Sequence, residues 1–109
     1  GVAPDASVVA IQVFSRVEGP ACGRAGRCVT AYTSDIIRGL EWVYDKRDSY
    51  AIAAVNMSLG GGRYRSSCDG ESIARAIHRL YKVGIPVVIA AGNEGYRDSV
   101  ANPAVFRVL

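Results

Sequence analysis

The stretch that decides the fold spans residues 85–95 and reads Ile85-Pro86-Val87-Val88-Ile89-Ala90-Ala91-Gly92-Asn93-Glu94-Gly95. Five consecutive apolar residues, 87–91, are followed directly by Gly-Asn-Glu-Gly. A short apolar run bounded by turn residues is typical of a strand buried on both faces. Ligands of open α/β sheets bind just beyond the carboxyl ends of the strands. Asn93 is therefore a candidate functional residue.

The rest of the chain alternates between strand and helix patterns. Spacing of apolar residues, together with Gly, Pro and Asn punctuation, separates the segments. The sequence predicts a buried strand over Ala6–Phe14, followed by a Gly-rich loop over 15–33. A helix is predicted over Ser34–Tyr44, capped by Thr33, Ser34 or Asp35, and a strand over Ala51–Leu59. A second helix is predicted over Glu71–Val83, ended by Gly84 and Pro86, and a last strand over Val105–Leu109.

This order, β-α-β-α-β-β, predicts an α/β fold with a parallel sheet of the doubly wound type. Both helical crossovers fall on one face of the sheet if successive strands are neighbours. The other face and the edge at Ala6–Phe14 then have nothing to cover them within these residues. We therefore expect residues 1–109 to be one part of a longer domain, and the isolated chain to self-associate through its exposed sheet face or edge.

Length, charge and hydropathy limit the class of protein. The chain has 109 residues, a formal net charge of +3 and 50% hydrophobic residues, as expected of one globular domain. The basic residues are scattered, which argues against a nucleic-acid surface. No apolar run approaches the length of a membrane span.

The three cysteines bear on cellular location. Cys22 and Cys28 lie six positions apart in the Gly-rich loop and can close a small disulfide ring, which favours a secreted protein. The alternative is a pair of free thiols. Cys68 has no evident partner, and a zinc site is not expected because His78 is the only histidine.

Two Gly-rich segments lie at the carboxyl ends of two adjacent predicted strands: Asn56-Met57-Ser58-Leu59-Gly60-Gly61-Gly62 and Ala90-Ala91-Gly92-Asn93-Glu94-Gly95. Glycines let a ligand or another backbone approach closely, and an asparagine amide beyond a rigid strand suits a developing oxyanion. Ordinary strand-ending turns would have the same composition. A phosphate site at Gly60–Gly62 with Arg63 or Arg65 is a further alternative, but it lacks the phosphate-binding motifs.

These residues, together with Gly1-Val2-Ala3-Pro4 and Asn102-Pro103-Ala104, resemble the subtilisin-like (subtilase) serine peptidases over essentially the whole chain. The resemblance implies that Asn93 donates to the tetrahedral oxyanion. It implies that Ser58, Leu59 and Gly60 pair with the substrate peptide, and that Ala91 and Gly92 line the opposite wall of the primary pocket. It also implies no cofactor within this segment, although calcium can bind the full-length family domain.

The family's catalytic Asp, His and Ser lie in Asp-Thr/Ser-Gly, His-Gly-Thr and Gly-Thr-Ser-Met-Ala motifs, and none of these occurs in the chain. Asp69, His78 and Ser58 do not substitute for them: His78 lies in the middle of a predicted helix, and Ser58 matches a binding residue. We therefore expect part of a secreted serine endopeptidase that is inactive by itself. The alternative is a non-catalytic peptide-binding module derived from a peptidase.

Overall fold

The computed structural model describes residues 2–61, 65, 70–93 and 95. Its elements in chain order are β1 (Phe14–Glu18), short 3₁₀ turns over Pro20–Ala25, β2 (Arg27–Ala31), α1 (Thr33–Lys46), β3 (Val55–Met57), α2 (Ser72–Lys82) and β4 (Val87–Ile89). The predicted last strand, Cys68 and Asp69 lie outside the described residues.

Helix α1 forms where apolar residues recur at spacings of three and four. Ile36, Leu40 and Val43 fall on one face, and all three are buried. Its predicted extent, Ser34–Tyr44, differs from the observed Thr33–Lys46 by one residue at the start and two at the end. The helix prediction is therefore confirmed.

The start of α1 corrects one detail of that prediction. The cap residue is Tyr32, and no side chain caps the helix. Instead, the Tyr32 carbonyl oxygen accepts hydrogen bonds from the backbone N–H groups of Asp35 and Ile36, at 3.0 and 3.1 Å. The expected side-chain cap from residues 33–35 is wrong because the helix already includes those residues.

Helix α2 ends as the sequence predicts. Gly84 adopts a left-handed backbone with φ of 82°, which a residue with a side chain rarely accepts. The N–H of Gly84 bonds to the Tyr81 carbonyl at 3.0 Å, and the N–H of Ile85 bonds to the Leu80 carbonyl at 3.1 Å. This pair of bonds is a Schellman motif, and Ile85 and Leu80 also belong to one buried cluster. The motif therefore fixes where the chain turns into β4.

Strands β3 and β4 pair in parallel, as expected for neighbours joined by a helical crossover. Val55, Asn56 and Met57 align with Val87, Val88 and Ile89 in that order. The N–H of Ala90 continues the ladder to the Met57 carbonyl at 3.3 Å. The two strands therefore end at the same edge of the sheet.

The core lies on one side of this strand pair. Ile36, Leu40, Val43, Met57, Leu80 and Ile85 form one buried cluster, with both helices contributing. On the opposite side of the ladder, Val88 is 60% exposed and its partner Asn56 is also exposed. Within the described residues, both helices cover the same face of β3 and β4, and the other face is open.

The predicted first strand, Ala6–Phe14, is wrong. Only Phe14 lies in a strand, and it pairs with Ala31 of β2 rather than with β3. Val8 is 87% exposed, which excludes a strand buried on both faces. The end of the segment packs closely on α1: a Cβ added at Gly39 would lie 3.3 Å from a methyl carbon of Ile11 and equally close to one of Val13. An apolar run becomes a buried strand only where hydrogen-bonding partners and covering side chains are present.

The segment predicted to be a loop, 15–33, instead forms an antiparallel hairpin of β1 and β2. The disulfide bond between Cys22 and Cys28 closes its Gly-rich end, and the Gly19 N–H bonds to the Gly26 carbonyl at 2.9 Å. Gly and Arg residues interrupt the alternation of apolar and polar residues along these strands, so the sequence pattern indicated a loop. We refer to residues 14–31 below as the hairpin.

The predicted second strand, Ala51–Leu59, is shorter than expected. Ala51 lies in a turn with φ of 48°, and the Ile52 N–H bonds to the Arg47 carbonyl at 3.0 Å. Residues 51–54 therefore finish the turn that comes after α1, and the ladder covers only Val55–Met57. The strand expected at Val87–Ala91 is likewise reduced to Val87–Ile89.

Candidate functional site

The candidate site consists of the two segments that leave the shared carboxyl edge of β3 and β4. Ser58–Gly60 follows β3 directly, and Ala91–Asn93 follows β4 after Ala90. Because the strands are parallel and Met57 lies opposite Ile89, the two segments begin within one residue of the same level of the sheet. The structure therefore brings the sequence-predicted site segments to one edge, which is where open α/β sheets bind ligands.

The β3 side of the site combines one anchored residue with exposed neighbours. Leu59 is half-buried and packs against the core cluster, whereas Ser58 and Gly60 are exposed. The Asn56 amide nitrogen donates to the Ser58 hydroxyl at 3.1 Å. This bond holds the serine next to the strand. Packing of Leu59 on the core fixes the backbone on either side of it.

The β4 side is exposed along Ala91, Gly92 and Asn93. Gly92 has φ of 108°, a backbone conformation that residues with side chains rarely adopt. Glycine is therefore required between the strand and Asn93 for the chain to turn as it does. The rigid strand and this turn together set the position of Asn93.

His78 and Ser58 are held by different neighbours. His78 is half-buried in α2, where its ring stacks on Tyr81 with 6.3 Å between ring centroids. The hydroxyl of Ser58 bonds to Asn56. Asp69 lies outside the described residues, so a triad built from Asp69, His78 and Ser58 gains no support from these contacts.

In the part of the chain that the structure describes, no three His, Cys, Asp or Glu residues are grouped so that they could hold a metal ion. No described helix is both long and apolar enough to cross a membrane.

Parallel strands joined by a helix define an α/β protein, and the candidate site lies at the carboxyl edge of its strands. The sequence model of the subtilase family matches residues 1–108, so the chain belongs to the subtilase family. No solved structure gives a significant match to the chain.

Three relatives illustrate the similarity. Subtilisin-like protease 3 of Arthroderma benhamiae is 36% identical over 107 residues, which cover 95% of this chain and 23% of that protein. Alkaline protease 1 of Aspergillus clavatus is 33% identical over 107 residues, covering 95% of this chain and 22% of that protein. Serine protease AprX of Bacillus subtilis is 30% identical over 110 residues, covering 96% of this chain and 22% of that protein. The chain thus spans less than a quarter of each relative.

Proposed function

We propose that this chain is the central part of the catalytic domain of a secreted serine endopeptidase. Asn93 donates its side-chain N–H to the oxyanion of the tetrahedral intermediate. Ser58, Leu59 and Gly60 pair with the substrate backbone, and Ala91 and Gly92 line the opposite wall of the primary pocket. The observation that carries the proposal is the parallel register of β3 and β4, which starts both segments at one edge in a chain of the subtilase family.

The chemistry fits the residues at that edge. An oxyanion donor must be positioned before the reaction, because a donor that reorients during the reaction loses much of its effect. Asn93 follows β4, which pairs with β3 and packs on the core with one face. Gly92, directly before Asn93, has no side chain that would occupy the space of a substrate. Exposed backbone at Ser58 and Gly60 suits pairing with an extended peptide.

Secretion is supported by the disulfide bond between Cys22 and Cys28, since such bonds persist in oxidising compartments. The nucleophile, the base and its orienting carboxylate would come from sequence outside residues 1–109, because none of the three family motifs occurs within them. Any calcium requirement would likewise belong to the full-length domain.

The isolated 109-residue chain is expected to have no peptidase activity, because nucleophile and base are both missing. The measurement is release of chromophore from a peptide anilide, compared with the Asn93→Ala variant of the same chain. Turnover that exceeds the rate of this variant would contradict the proposal, since it would require a nucleophile within the chain.

The second candidate, a non-catalytic peptide-binding module, is motivated by the same absence of the three motifs. The two candidates differ in the flanking sequence of the full-length protein. All three motifs in the expected order support the peptidase, and loss of the Ser or His motif supports the binding module.

We also propose that the isolated chain self-associates through the open face of β3 and β4, where Val88 and Asn56 are exposed. Light scattering with size-exclusion chromatography is expected to show dimers or larger species. The Val88→Lys variant should shift the distribution towards monomer, because a buried charge in the contact is costly. A wild-type chain that stays monomeric at all concentrations would contradict this expectation.

A further inference from the structure

The disulfide-closed hairpin carries a net positive charge that the proposed function leaves unused. It contains three arginines and one glutamate, which gives a net charge of +2. Arg16 and Glu18 pair with each other at 2.6 Å. Arg24 and Arg27 are exposed and form no ion pair with a described residue; Arg27 lies opposite Glu18 across the ladder, but the Glu18 carboxylate pairs with Arg16. The charge at the end of the hairpin is therefore available to a partner.

The direction of α1 shows where this hairpin is attached. The last turn of α1 lies at the amino edge of the sheet, where Arg47 borders the same cavity as Ile52 and Ile85, which precede β3 and β4. Because α1 has 14 residues, it is about 21 Å long at 1.5 Å per residue. That length carries its first turn to the opposite edge, the carboxyl edge of the strands.

Contacts at the start of α1 agree with this direction. Ile36 in its first turn borders the same cavity as Val13 and Leu59. Val13 directly precedes β1, and Leu59 is the middle residue of the segment proposed to pair with substrate. The base of the hairpin is therefore at the rim of the candidate site.

The hairpin is also rigid enough to hold its charges in place. Val17 and Cys28 are partners across the ladder, and the sulfur of Cys22 lies 3.3 Å from the Val17 carbonyl oxygen. With the disulfide bond, these contacts pack the 3₁₀ turns onto one face of the two strands. A five-residue strand is about 17 Å long, so the end of the hairpin that carries Arg24 and Arg27 lies about that far from its base.

We propose that this hairpin forms a cationic flank of the substrate channel and that Arg24 and Arg27 favour substrates with acidic side chains. This inference rests on the proposed function, since it needs a substrate channel at the carboxyl edge. Attraction between exposed charges is modest and falls with salt, because the screening length is about 10 Å at 0.1 M ionic strength. The hairpin therefore adjusts preference among substrates and takes no part in bond cleavage.

The test uses the full-length protein and pairs of matched peptides. The two peptides of a pair differ at one position only, which is Glu in one and Gln in the other. Together the pairs cover every position from four before to three after the cleaved bond. In the wild type, kcat/KM for Glu relative to Gln should exceed one at one or more positions at low salt. In Arg24→Gln/Arg27→Gln this ratio should fall about twofold to thirtyfold, the range for two exposed ion pairs. It should also fall in the wild type as salt is raised.

The matched control is Lys46→Gln/Lys82→Gln, which removes the same charge from the last turns of the two helices, at the other edge of the sheet. It should leave the ratio unchanged. A ratio that is unaffected by the hairpin variant, or affected equally by both variants, would overturn the inference. Cleavage of the Gln peptides that depends on Asn93 would still support the proposed function in that case, whereas no cleavage of any peptide would overturn both.

Discussion

If the full-length protein is the proposed peptidase, replacing Asn93 by alanine in it is expected to lower kcat about 10²–10³-fold while KM changes little. The magnitude is the one known for removal of the oxyanion-hole asparagine in subtilisin, and it is applied to Asn93 on the strength of the proposed function. The oxyanion exists only in the transition state and in the tetrahedral intermediate. A donor that binds it therefore contributes to kcat and hardly at all to substrate binding.

Asn93→Asp is the informative companion variant. It preserves the size and shape of the side chain but replaces the donating amide by a carboxylate, which accepts hydrogen bonds and repels an anion. We expect its kcat to fall at least as far as that of Asn93→Ala. Steady-state kinetics with a peptide anilide give both constants. A large rise in KM with kcat unchanged, in either variant, would show that Asn93 acts in binding the ground state.

Truncation of Leu80 is expected to have the largest effect on stability. Leu80 is 0% exposed, and it joins α2 to the cluster that includes Leu40 and Met57. A buried leucine replaced by alanine loses its transfer free energy and leaves a cavity, which costs about 3–5 kcal/mol. Urea unfolding of the full-length protein followed by circular dichroism should show a lower midpoint with an unchanged slope.

Tyr81→Ala is the matched control on the same helix. Tyr81 is adjacent to Leu80 in sequence but is 71% exposed. An exposed residue of this kind changes the free energy of unfolding by about 0.5 kcal/mol or less when truncated. Equal losses in the two variants would contradict the position of Leu80 at the centre of the core.

The helices were predicted well from sequence because their determinants are local. The recurrence of Ile36, Leu40 and Val43 requires no knowledge of a partner, and neither does the glycine that ends α2. The parallel pairing of β3 and β4 was also predictable from the sequence, since a helix between two strands forces a crossover. The candidate site was found by the same route, from the glycine-rich segments at the carboxyl ends of these two strands.

The strands outside this pair were predicted poorly, and the reasons are physical. Residues 6–13 have the composition of a buried strand, but they pair with neither sheet of the described structure, and Val8 is 87% exposed. The hairpin has a weak alternating pattern, and its two strands are held together by a disulfide bond and by each other. In both cases the outcome depends on partners that composition does not specify.

The sequence by itself determined the family and the positions of the two helices, because motifs and helix hydrogen bonds involve residues close along the chain. Only the tertiary structure decided that residues 14–31 form a hairpin of their own, separate from the β3–β4 pair. It also decided that the hairpin is attached at the same edge as the site. Strand pairing and helix packing join residues far apart in sequence, so the spacing of residues along the chain cannot determine them.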